Sequence, residues 1–161
     1  MPRTPRSSTR AAEAALRPVA GVEELQVVGA VHDRVLDQLE ILTSARSVWL
    51  HPDVVHRMGR RGAVARDTEF VLAQMARTIL RPRLVGRDRR ERRASHVHLV
   101  GLRDDEGGRQ LCVTVKFVEG QRSLSGLDEI WVGAAYPLGT RSLARLERSG
   151  RLVAVGWEAD D

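Results

Sequence analysis

The hydrophobic period of this 161-residue chain changes near residue 83, and that change constrains the fold more than any other feature. Before it, apolar residues recur at three- and four-residue steps, which gathers them on one face of a helix. After it they recur at every second residue, the spacing of a strand with one face buried. Val22, Leu25, Val28, Val35, Leu36, Leu39 and Leu42 predict an amphipathic helix over residues 22–42. Val48-Trp49-Leu50 reads as a short strand. Pro52 and Asp53 open a helix over 53–58, since proline suits a first turn and a carboxylate suits the positive end of the helix dipole. Asp67 is a good cap for a further helix with Phe70, Val71, Met75 and Ile79 on one side, and Pro82 stops it.

Beyond residue 83 the expected strands are Arg83–Gly86, His96–Leu102, Leu111–Val118, Ile130–Tyr136 and Leu152–Trp157, with a helix over 141–149 that Thr140 caps and Gly150 ends. In Leu111–Val118, Leu111, Val113, Val115 and Phe117 alternate with Cys112, Thr114 and Lys116. Val97 and Leu99 alternate with His96 and His98 in the same way. For both apolar rows to share a face, paired residue numbers must sum to an even value. The length of the turn-rich 104–108 loop favours about 214, which sets His98 opposite Lys116 and Val100 opposite Thr114. The expected class is therefore α+β, with N-terminal helices packed on a small antiparallel sheet. Residues 1–10 are expected as a disordered basic tail, 11–46 as an N-terminal helical segment, and 47–161 as the main α+β domain. No glycine-rich phosphate loop follows a strand, which argues against a parallel nucleotide-binding fold.

Aromatic residues are only 4% of the chain, so a core must come from Val, Leu, Ile and Ala. One cysteine, Cys112, excludes an internal disulfide and a cysteine zinc cluster and suits a reducing cytoplasm. No uncharged stretch approaches the roughly 20 residues that cross a bilayer, and the start lacks the apolar segment of a secretory signal, so no membrane partner is expected. Net charge is +5, unevenly placed. Residues 57–102 carry twelve arginines against four acids, whereas both flanking regions are slightly acidic. The basicity is a patch, and an anionic partner would meet one region.

Metal catalysis has little support, because His51 with His56 and His96 with His98 are the close histidine pairs and neither shows a third ligand. Nucleophilic hydrolysis lacks a Gly-x-Ser-x-Gly elbow; Cys112 is expected on the polar strand face near Lys116, which could lower its pKa. RNA needs neither device, because its own 2′-hydroxyl lies beside the scissile phosphate. Cleavage then requires a base, an acid and cations that hold the developing phosphorane charge. His96, His98, Thr114, Lys116 and Tyr136 on an open sheet face supply that set, and Lys116 is the only lysine. Arg87, Arg89, Arg90, Arg92 and Arg93 precede them, and Arg60 and Arg61 form a second basic turn; each that reaches a phosphate adds salt-sensitive affinity.

The order Val48-Trp-Leu-His-Pro-Asp-Val-Val-His56, Ile79-Leu-Arg-Pro82, Val113-Thr-Val-Lys116 and Ile130-Trp-Val-Gly-Ala-Ala-Tyr-Pro137 resembles the phage-associated nuclease domains grouped with barnase, EndoU, colicin-type and RelE ribonucleases. The resemblance covers residues 47–137. It implies a barnase- or RelE-like fold and metal-independent RNA cleavage, with His56, Pro82 and Ala135-Tyr136-Pro137 at matching positions. The chain departs from the pattern at Ala134, where a hydroxyl residue is expected, and at the Gly59–Gly62 turn, where a second histidine often stands. The expected function is a cofactor-free endoribonuclease of toxin or phage-effector type, with His56, His98, Lys116 and Tyr136 as catalytic candidates. RNA is the expected substrate and an acidic antitoxin or immunity protein a further partner. The alternatives are a non-catalytic nucleic-acid- or partner-binding module on the same scaffold, or a structural phage protein whose basic patch meets an acidic partner.

Overall fold

The computed structural model describes residues 24–59, 68–88, 95–103, 110–148 and 151–157. In chain order these form β1 (Gln26–Ala30), α1 (Asp33–Leu39), β2 (Ser47–Leu50), α2 (Pro52–Gly59), α3 (Thr68–Leu80) and β3 (Leu84–Arg87). Then follow β4 (His96–Arg103), β5 (Gln110–Val118), β6 (Glu129–Leu138), α4 (Thr140–Arg148) and β7 (Val153–Ala154). The strands make one sheet in the order β1-β2-β6-β5-β4-β3-β7. Neighbours run antiparallel except β2 and β6, which pair in parallel with Val48 beside Ile130 and Trp49 beside Trp131.

The expected α+β arrangement of N-terminal helices on a small antiparallel sheet, barnase- or RelE-like, is not what forms. The sheet is seven-stranded and mixed, and the helices among the described residues are short. Two causes account for the difference. The helix predicted over 22–42 is a strand followed by a two-turn helix, because the β-branched Val27 and Val28 favour extended backbone and Gly29 weakens a helix interior. Gly29 also lets β1 pass close to α3, since a Cβ there would lie 3.3 Å from Ile79 Cβ. Moreover, β2 pairs with a strand some eighty residues later, a contact that local alternation does not report. β1 and α1, within the segment 11–46, therefore belong to the same sheet and core as later elements. Residues 1–10 lie outside the described residues.

Helix starts follow local chemistry. His32 caps α1, its Nδ1 accepting from the Arg34 N–H at 3.0 Å. His51 does the same for α2, accepting from the Asp53 N–H at 3.0 Å ahead of Pro52 in the first turn. One sheet face carries α1, α2 and α3. There Val35 and Leu36, Val54 and Val55, and Val71, Met75 and Ile79 meet Val97, Leu99, Val113, Val115 and Ile130. Each fully buried aliphatic side chain contributes about 1.5–3 kcal/mol relative to exposure. Among the described residues the opposite face carries α4, whose Leu143 packs with Leu84, Val100, Cys112, Leu138 and Leu152. None of the described helices is long and apolar enough to cross a membrane.

Candidate nucleic-acid interface

Because side chains alternate across a strand, the residues between those core positions face away from α1, α2 and α3. The register lines them up in three rows. Nearest α4 lie Leu84, Val100, Cys112 and Tyr136. Next come Gly86, His98, Thr114 and Ala134. Farthest from it lie His96, Lys116, Trp131 and Trp49. The β4–β5 pairs sum to 212 rather than 214, so Lys116 faces His96 and Thr114 faces His98. A two-residue slip keeps every side chain on its expected face and changes only its partner.

The middle row is a connected polar network. His98 Nδ1 and Thr114 Oγ1 share a hydrogen bond of 3.1 Å. On its other side His98 Nε2 lies 3.9 Å from Asp88 Oδ2, an electrostatic contact longer than a hydrogen bond. Asp88 is anchored in turn by its N–H, which donates to the His96 carbonyl at 2.8 Å. Thr114 and Tyr136 both hydrogen-bond the Cys112 thiol. Burial nevertheless pushes that thiol up to about 11, so it stays protonated at neutral pH and is a poor nucleophile. The chain at Arg151 packs against the β3 end of this row, since a Cβ on Gly86 would run into the Arg151 carbonyl.

The outer row is more open. Lys116 is exposed, His96 is half-buried, and Trp49 and Trp131 are half-buried with ring centroids 6.2 Å apart and planes tilted by 35°. Trp131 is held from behind: its Nε1 donates to Glu129 Oε1 at 3.1 Å, while Glu129 Oε2 accepts from the Ser125 N–H at 3.1 Å.

Of the expected catalytic residues, His98, Lys116 and Tyr136 share this face. His56 does not: it is exposed on α2, which packs on the opposite side of the sheet through Val54 and Val55. Arg87 also points to the helix-bearing face, where its Nη2 donates to the Leu39 carbonyl at 2.6 Å and it lines a cavity of about 300 Å³ with Phe117 and Asp128. Arg60, Arg61, Arg89, Arg90, Arg92 and Arg93 lie outside the described residues. The segment holding the last four leaves from Asp88 and returns at Ser95, beside His96. Among the described residues no three His, Cys, Asp or Glu side chains converge as metal ligands would. Sequence reasoning missed Asp88, counted only as an acid within an arginine run, and the tryptophan pair. The tryptophans carried a signal, because Val48 and Leu50 flank Trp49, and Ile130 and Val132 flank Trp131, with core residues.

No family model, curated protein or solved structure matches the chain. The functional reading therefore rests on this face alone.

Proposed function

We propose that the protein is a metal-independent endoribonuclease centred on the end of the sheet that α4 leaves uncovered. The observation that carries this reading is the pairing of Lys116 with His96, one step along the same face from His98 and Thr114. Two residues along a strand advance roughly 6.5 Å, so the two imidazoles can address opposite oxygens of one phosphodiester. In this mechanism His96 takes the proton of the 2′-hydroxyl as its oxygen bonds to phosphorus. The bond from phosphorus to the 5′-oxygen breaks, and His98 protonates the departing oxygen. The Lys116 ammonium stabilises the charge that builds on the phosphorane, and Asp88 faces His98 Nε2 at 3.9 Å. The products are a 2′,3′-cyclic phosphate and a 5′-hydroxyl end. A reducing cytoplasm, with an acidic inhibitor protein as partner, is the setting this activity implies.

Incubation of the purified protein with total RNA in chelator tests the reading. Lys116→Ala and His96→Ala are expected to lower the cleavage rate at least 100-fold, a typical cost for an acid–base group, without changing thermal unfolding. His56→Ala, across the sheet, is expected to keep full activity. Equal rates in wild type and Lys116→Ala would end the assignment. A second reading, a non-catalytic RNA-binding module, is favoured by Ala134 beside Thr114 and by His98, both of whose ring nitrogens face protein groups. It predicts salt-dependent binding with no product.

A further inference from the structure

We propose that Trp49 and Trp131 form a platform on which an unpaired base of single-stranded RNA stacks, with its phosphate held by Lys116 and His96. The proposal rests on the reading that this face engages RNA, and it names the structural class of RNA and the residues that select it. The two indoles lie on the only parallel strand pair among the described residues, directly in register, and their rings sit side by side. Lys116 is the cross-strand neighbour of Trp131, and His96 is that of Lys116. Strands are spaced about 4.8 Å apart, so a base on Trp131 has its sugar and phosphate over Lys116 and His96.

Aromatic rings on an open sheet face stack unpaired bases, because every base has a π-face, whereas a duplex keeps its bases inside. The acid beside Trp131 does not oppose the ligand in the way an exposed carboxylate would. Both Glu129 oxygens are engaged within the protein, and one of them fixes the Trp131 ring. Charge complementarity favours RNA over a second copy of the chain. The segment that leaves from Asp88 and returns at Ser95, beside His96, holds four arginines against one acid. A platform of indoles flanked by an ammonium and an imidazole matches alternating bases and phosphates.

The test uses the full chain and two labelled probes of about ten nucleotides, within the span such surfaces bind. One is a 2′-O-methyl oligoadenylate, which lacks the attacking hydroxyl; the other is a sugar–phosphate chain of equal length without bases. Wild type is expected to bind the base-bearing probe at least tenfold more tightly. Trp49→Leu and Trp131→Leu are expected to weaken that binding about 5- to 100-fold, the range of one lost stacking contact, while leaving the abasic probe unaffected. Trp131→Phe, which keeps a ring, is expected to retain most of the affinity, and thermal melts of each variant report folding. Equal affinity of wild type for both probes, with RNA cleavage intact, overturns the platform and leaves the proposed function standing. Absence of both binding and cleavage overturns the two together. Sedimentation showing a dimer that Trp131→Leu dissolves gives the face to a second copy and also overturns the proposal.

Discussion

Cys112 lies on the same face as Lys116, four residues along β5, yet its chemistry is set by burial. At 1% exposure the thiol is held up to about 11 from 9.0, against the lowering effect of Tyr136 and Thr114. The folded value is the higher one, so below pH 9 both states are neutral and the group adds no pH dependence. Between pH 9 and about 11 the unfolded chain ionises first, and stability falls as pH rises through that window. Cys112→Ala is therefore expected to start about 1 kcal/mol less stable for lost packing, and to narrow that gap from pH 8 to pH 11 in thermal denaturation. A constant gap would show that the thiol does not titrate as placed. The alternation of β5 made the face of Cys112 legible from sequence. Its burial was not, because α4 and Leu152, which cover it, arrive from later in the chain.

At the scale of elements, paired strands and their turns were largely visible, and their partners less so. α3 ends before Pro82, as that proline requires, whereas the helix expected over 141–149 runs Thr140–Arg148, with Thr140 as its first residue and not its cap. The β4–β5 hairpin was placed two residues out of register, because parity specifies the face while the loop length leaves the even sum open. A register irregularity between Val100 and Arg103 shifts the pairing sum by one, from 212 to 213, toward the expected value. The connection between α1 and β2 shows what a single side chain contributes. Asp128, just before β6, accepts from the Ser44 N–H at 3.0 Å, the Gly120 N–H at 3.0 Å and the Thr43 hydroxyl at 3.1 Å. The Ser44 N–H, then Gly120 and Thr43, hold its carboxyl below the ordinary 3.8. A depressed folded value stabilises above the unfolded one and is lost as pH falls through the folded one. Asp128→Ala is expected to cost about 1 kcal/mol at pH 7, the scale of a lost side-chain cap, and the difference should vanish in denaturant titrations well below pH 3.8.

For the whole molecule, the decisive feature is that, among the described residues, one sheet face is covered by three helices and the other by one. The end that α4 leaves uncovered among the described residues gathers side chains from β2, β4, β5 and β6, and the sequence carries four arginines between Asp88 and Ser95. RNA binding is then expected to depend steeply on salt. Replacing Arg89, Arg90, Arg92 and Arg93 with Gln should flatten the log–log slope by about 0.7 for each phosphate contact removed, measured by titration at several ionic strengths. An unchanged slope would detach that segment from the interface. Residue order alone determined which side chains share a face, where most strands and helices begin and end, and that the positive charge is local, because each depends on neighbours a few positions away. The tertiary structure decided that residues 26–30 extend, that β2 lies parallel to β6, that His56 is separated from Lys116 by the sheet, and that two tryptophans meet. Those outcomes depend on contacts between distant segments, whose free energy is settled only when the core that β1, β2 and β6 share is packed.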